Sequence, residues 1–253
     1  MSLAGRVQES VTCLHFKMSA DWHTSFLHLL EPPVHSIVSA RRQLATVRMA
    51  AHAVKALPTG DLVETGVFRG GTTVLMARVL RSLSSDRRLW ACDSFQGLPR
   101  AQAEDFRRGG CGNATIPRRR SCGIGGGGQY SASRAMVEHA LRVEGLTKHV
   151  RIVPGWFHKS LPPKGLHSIA MLRLDGDTFN GTYEALSRLY PLVVQGGIVY
   201  VDDAGSYRGA AVALRKYLGW PIGTRILEEA AGQSAFYEAV WWRKGVENEM
   251  LSF

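Results

Sequence analysis

The chain has 253 residues, 45% of them hydrophobic and 21% charged, with a net charge of +10. That length buries one substantial core, no apolar run approaches the roughly 20 residues that span a bilayer, and neither a secretory leader nor an acid-free, Arg-rich transit peptide is expected at the amino terminus. A soluble, cytoplasmic protein with no membrane partner is expected, and Cys13, Cys92, Cys111 and Cys122, without CxxC spacing, argue against a zinc site or a disulfide framework.

Residues 1–38 have weak periodicity and read as an amino-terminal extension ending in a break at Pro32 and Pro33, with 39–253 as one α/β domain. Leu44, Val47, Ala51, Val54 and Leu57 form a helical stripe that stops near Pro58 and Gly60. A strand at 62–64, a helix at 72–83 and a strand at 89–93 follow. The alternation then breaks over 99–130, which contains Gly109, Gly110, Gly112, Gly123 and the run 125–128. Such a segment packs no core, and its place just after a strand end sets it over the carboxyl edge of the sheet, as a substrate lid or a plain insert.

Much of the positive charge lies here, since nine Arg and one Lys face four acids between Arg100 and Arg151. A basic face recruits anions, yet Arg118, Arg119 and Arg120 lack interleaved aromatics that stack bases, so nucleic acid is not the expected partner. Ser133 is placed to cap a helix with Met136, Val137, Ala140 and Leu141 facing inward and Gly145 at its end. Strands at 150–153 and 169–174 come next. Tyr183, Leu186, Leu189 and Tyr190 mark a crossover helix, followed by a strand at 198–201 and a helix at 209–218. A β-rich pair at 224–227 and 235–241 closes the series. This pattern implies a mostly parallel sheet with helices on both faces.

Three aspartates end adjacent predicted strands: Asp175 after one, Asp202 and Asp203 after the next. Parallel neighbours lie roughly 4.8 Å apart, so these carboxylates can converge on one hard divalent ion. The competing reading has Asp202 or Asp203 capping a helix and Asp175 bonding loop amides. Asp177 is read mainly as the cap of the helix after it, and Arg69 and Arg173 as structural partners for these acids. The first strand runs into a glycine-rich turn, Glu64 to Gly71 (ETGVFRGG), where backbone can approach a ligand at a helix amino end. Glu64 stands where a dinucleotide fingerprint has glycine; its carboxylate repels a pyrophosphate and suits an ammonium or sulfonium, which argues against a nicotinamide oxidoreductase. Asp93, ending the second strand, is placed to accept hydrogen bonds from ribose hydroxyls.

Five blocks carry a resemblance: Glu64 to Gly71, Asp93 to Pro99 (DSFQGLP), Pro154 to Phe157 (PGWF), Arg173 to Asp177 (RLDGD) and Gly196 to Asp203. Together they resemble the macrocin O-methyltransferase family, which includes aminocoumarin-sugar O-methyltransferases, over about residues 40–240 and in the same order. The resemblance implies a Rossmann-like class I methyltransferase fold with a mostly parallel, seven-stranded sheet. It implies S-adenosylmethionine as donor, Mg²⁺ on Asp175, Asp202 and Asp203, and Asp175 as general base.

Within that frame Glu64, Thr65 and Gly66 hold the methionine end of the donor, Asp93 and Ser94 the ribose, and Trp156 lies near the adenine or is plain core. The expected acceptor is a small hydroxylated molecule, a natural-product sugar or another vicinal diol, and a homodimer is expected. The Gly- and Arg-rich insert departs from the family pattern, as does His158, read as a solvated loop residue. An RNA-binding or non-catalytic methyltransferase-like protein is the alternative.

Overall fold

The computed structural model describes residues 26–32, 34, 36–106, 127–219, 239–245 and 251–252. Five strands run parallel: β1 (Asp61–Thr65), β2 (Leu89–Asp93), β3 (Val150–Pro154), β4 (Ile169–Leu174) and β5 (Val193–Val201). β6 (Val240–Arg243) adds antiparallel to β5, and the two-residue β7 (Leu251–Ser252) to β6, giving the order β3-β2-β1-β4-β5-β6-β7. Six strands have four residues or more, so the seventh position is filled only by that short segment.

Alternation along each central strand feeds two apolar cores. Leu62, Met171 and Ile198 face one; Val63, Leu172 and Val199 face the other. The first is covered by α1 (Ala40–Ala56), α2 (Gly71–Ser82) and α3 (Arg134–Val143). The second is covered by α5 (Phe179–Leu189) and α6 (Arg208–Leu218), with the single-turn α4 (Phe157–Ser160) beside it. Phe26, Leu29 and Leu30, from the segment read as an extension, also belong to the first core, and Arg78 of α2 donates to the Leu29 and Pro32 carbonyls.

Local signals placed these elements well. Ser39 caps α1 by accepting from the Arg42 amide, and Ser133 caps α3 by accepting from the Met136 amide. Two expectations fail in detail. Met136 is exposed, and only Val137 and Leu141 of its stripe are buried, because α3 is covered along a narrow seam. β5 starts at Val193, not at 198, because Gly196 and Gly197 pair with Lys244 through their backbones and keep an otherwise strand-poor stretch in the sheet.

At the other edge, β6 at Val240–Arg243 overlaps the end of the strand expected at 235–241, with Trp241 and Trp242 buried, and 235–238 lie outside the described residues. The strand expected at 224–227, most of the Gly- and Arg-rich insert, Cys13, Cys111, Cys122 and Arg118, Arg119 and Arg120 lie outside the described residues. Among the described residues no helix is long and apolar enough to cross a membrane.

β2 and β3 extend from one side of β1 while β4 and β5 extend from the other, so the crossover direction reverses at β1. A crevice at the carboxyl ends of the strands opens where that reversal occurs, the usual ligand position of open α/β sheets.

Candidate active site

The strand ends are laced together by backbone: the Gly66 amide donates to the Cys92 carbonyl (3.0 Å), Asp175 to Thr65 (2.9 Å) and Asp202 to Leu174 (2.8 Å). This lacing sets four acidic positions along one rim. Gly66 has φ +84°, and a Cβ there would stand 1.8 Å from the Asp175 carbonyl oxygen, so only glycine lets β1 and β4 end in contact. Asp93 organises the turn above them. Its Oδ2 accepts from the Val67 (2.7 Å) and Phe68 (3.2 Å) amides and its Oδ1 from Phe95 (2.7 Å). Ser94 accepts from the Gln96 amide and donates to the Gly97 carbonyl.

A cavity of about 770 Å³ lies over this rim, with Gly66, Asp93, Trp156, Asp175, Asp177 and Asp203 in its wall. Ser94 and Asp202 also reach it, whereas Glu64 and Thr65 do not. Glu64 is fully buried beneath the turn, where its carboxylate accepts from Thr72 Oγ1, Thr73 Oγ1 and Arg173 Nη1. The expected direct contact of Glu64 with the donor is therefore corrected: its hydrogen bonds tie the start of α2 to β4. Burial pushes its pKa up to about 7, against the opposing pull of Arg173 and the two hydroxyls. Thr65 is likewise an interior residue; its Oγ1 is buried without a hydrogen-bond partner.

Arg173, fully buried, is the hub of the acids. It donates to Asp175 Oδ2 (2.7 Å) and Glu64 Oε1 (3.2 Å) through Nη1, and its Nη2 lies 3.2 Å from Asp202 Oδ1. Arg69 does not share this role; its guanidinium lies over the Phe68 ring at 5.1 Å. Asp202 is held further by Arg42 Nη1 (2.6 Å) and by the Tyr200 hydroxyl (2.7 Å). Two cations and a phenol thus engage both Asp202 oxygens, Oδ2 on Arg42 and Oδ1 on Tyr200 and Arg173.

Of the expected trio, Asp175 and Asp203 stand together, and among the described residues the third acid close to both is Asp177 rather than Asp202. Oxygens of Asp175, Asp177 and Asp203 lie within 4.8 Å of one another. Asp177 joins because the loop after β4 folds it back at φ 54°, and Thr178, not Asp177, caps α5 by accepting from the Gly181 amide (3.1 Å).

Crowding separates these three acids electrostatically. Burial pushes Asp175 up, but the Arg173 guanidinium and a hydrogen bond with Asp203 outweigh it, so Asp175 stays below the usual carboxylate range. Burial and then the charge of Asp175 raise Asp177 to about 8; burial, Asp177 and Asp175 raise Asp203 well above its ordinary value. Asp203 Oδ2 is buried with no hydrogen-bond partner. Such a group holds protons when empty and suits a divalent cation, which would neutralise the repulsion and fill the orphaned oxygen.

Some site residues had no local signal. Arg42 reaches the cavity from α1, Tyr130 and Tyr207 meet across it, and buried Asp105 accepts from the Phe179 (2.7 Å) and Gln102 (2.7 Å) amides, pinning the base of the insert to α5. His158, in the cavity wall, lies 3.7 Å from Glu184 and is half exposed.

The profile of the Macrocin-O-methyltransferase (TylF) family matches residues 17–244. The chain belongs to that family. It is 40% identical over 146 residues to the demethyldecarbamoylnovobiocin O-methyltransferase of Streptomyces niveus, covering 57% of this chain and 52% of that protein. It is 36% identical over 145 residues (57% and 52% of the two chains) to the 8-demethyl-8-(2,3-dimethoxy-alpha-L-rhamnosyl)-tetracenomycin-C 4'-O-methyltransferase of Streptomyces olivaceus. These alignments span about half the length of the curated relatives. The solved structure of the O-methyltransferase NovP superposes with a TM-score of 0.58 at 29% identity, over 83% of this chain and 81% of that one. The fold is accordingly the Rossmann-like class I methyltransferase fold.

Proposed function

We propose that this chain, in a domain at 39–253, transfers a methyl group from S-adenosylmethionine to a hydroxyl of a small molecule, a natural-product sugar or another vicinal diol. The observation that carries the reading is the contact between Gly66 and Asp175. It sets the glycine turn, with its approachable backbone, against the backbone of the residue whose carboxylate Arg173 holds, which supports a sulfonium at the turn next to a hydroxyl at Asp175. Relatives named as O-methyltransferases of a novobiocin precursor and of a rhamnosyl tetracenomycin support the acceptor class.

Asp93 and Ser94 border the space beyond the turn, where Asp93 keeps acceptor capacity for ribose hydroxyls, and half-buried Trp156 offers a ring wall for the base. Gly66 and the amides of the turn hold the methionine end. Methyl transfer is an in-line displacement, so the walls must hold the acceptor oxygen about 3 Å from the methyl carbon and exclude water. Asp175 receives the hydroxyl proton on its oxygen. Arg173 keeps that oxygen ionised and oriented, and therefore a weak base. Asp175, Asp177 and Asp203 would hold a divalent ion such as Mg²⁺, which when bound supplies the positive charge that makes an acceptor hydroxyl more acidic. Asp202 serves to neutralise Arg42 and Arg173.

Donor-dependent methylation of sugar, catechol and macrolide-type acceptors, with and without EDTA, tests the reading. Turnover should stop with chelation and fall at least about 100-fold in Asp175→Asn, the scale of a lost general base. Turnover indifferent to both would reject it.

A further inference from the structure

The cavity contains a pair of phenols that the reaction described above does not use. Tyr207 follows the turn after β5, and its amide donates to the Asp203 carbonyl (2.9 Å), so its ring is placed by the same turn that places Asp203. Tyr130 comes from the opposite wall, with a left-handed φ of 56°. Its ring stands edge-on to Phe68 of the glycine turn, centroids 6.0 Å apart at 89°, and its hydroxyl lies 3.3 Å from that of Tyr207. The pair therefore joins the donor turn to the acid corner across the cavity that both residues line.

Both phenols offer hydrogen bonds to a ligand. Burial, with Asp177 and Tyr130 beside it, holds the Tyr207 phenol far above its ordinary value, so it remains an O–H group. Of the two O–H groups, one satisfies their mutual hydrogen bond, which leaves one donor and free lone pairs. Tyr130 is 44% exposed although its ring packs edge-on against Phe68. An amphipathic surface of this kind, ring carbon next to paired hydroxyls, suits a sugar, which presents C–H faces beside its own hydroxyls.

We infer that Tyr207 and Tyr130 are acceptor-positioning residues, whose phenol oxygens take the ring hydroxyls neighbouring the one presented to Asp175. The inference rests on the methyltransferase reading and adds to it the residues that recognise a polyhydroxylated ring. The test uses the full chain with Mg²⁺ and saturating S-adenosylhomocysteine, and methyl α-L-rhamnoside as a probe titrated by NMR. Tyr207→Phe and Tyr130→Phe should each weaken the rhamnoside about threefold to tenfold, the range of one hydrogen bond, and leave S-adenosylhomocysteine affinity within about twofold by calorimetry. With the 2,3-dideoxy analogue, wild type and variants should bind alike.

Unchanged rhamnoside affinity in both variants would overturn the inference, as would equal weakening towards the dideoxy analogue or a wild type that binds S-adenosylhomocysteine but no rhamnoside. A wild type that binds no S-adenosylhomocysteine would instead remove the methyltransferase reading, and the pair's role with it.

Discussion

Arg42 and Asp202, 160 residues apart in sequence, meet at 2.6 Å at the edge of the cavity. That ion pair, with Arg173 on the other carboxylate oxygen, engages both oxygens of Asp202, while oxygens of Asp175, Asp177 and Asp203 lie within 4.8 Å of one another, the set proposed above to hold a cation. Asp202 and Asp177 should respond oppositely to neutralisation. Asp202→Asn leaves buried Arg173 and half-buried Arg42 short of a counter-charge, a change that costs on the order of 3 kcal/mol, and should lower the thermal midpoint while Mg²⁺ affinity changes little. Asp177→Asn relieves like-charge crowding; it should raise the midpoint of the metal-free protein and weaken Mg²⁺ binding at least about tenfold. Thermal scans and Mg²⁺ titration calorimetry on both variants decide the matter.

Protons and a divalent ion compete for the same carboxylates. Asp177, raised to about 8, and Asp203, raised further, bind protons in the folded chain that they do not bind when unfolded, so metal-free stability is highest below the unfolded value and falls as pH rises through the folded one. Added Mg²⁺ should therefore raise the melting temperature more at pH 8.5 than at pH 6. An increment independent of pH would contradict the assignment of the three acids as ligands.

Glu64 offers a separate pH signal, because it lies below the cavity. With its pKa at about 7 in the fold, the wild type loses stability as pH rises from about 4.5 through 7, by on the order of 3 kcal/mol. Glu64→Gln has no charge to bury, so its stability should vary less over that window, and it should gain on the wild type between pH 5.5 and pH 8.5. Urea unfolding at the two pH values measures the difference. Donor affinity of the variant, read with S-adenosylhomocysteine, should fall only through the loosened turn, by less than about tenfold.

Gly66→Ala is expected to be far more damaging to binding than its size suggests. The added Cβ falls 1.8 Å from the Asp175 carbonyl oxygen, and the backbone has φ +84°, so the ends of β1 and β4 must separate. S-adenosylhomocysteine affinity should drop more than about tenfold, with a lower thermal midpoint. Calorimetry showing wild-type affinity would mean that the turn is not the donor site.

The elements of this protein could be read from sequence because each depends on near neighbours: Ser39 and Ser133 cap the helices that follow them, Gly66 and Gly70 bend the chain where β1 enters α2, and Ile169–Leu174 is apolar except for Arg173 and buried along its whole length. Adjacent strand ends likewise brought Asp93, Asp175 and Asp203 to one rim. Which acid faces a ligand was another matter. Glu64 is buried where Thr72, Thr73 and Arg173 surround it, Asp202 is engaged by Arg42 from a helix 160 residues earlier in the chain, and Tyr130 meets Tyr207 only in the folded cavity wall. A carboxylate's orientation follows from the charges packed within a few ångströms of it, and those partners are set by folding, not by spacing along the chain.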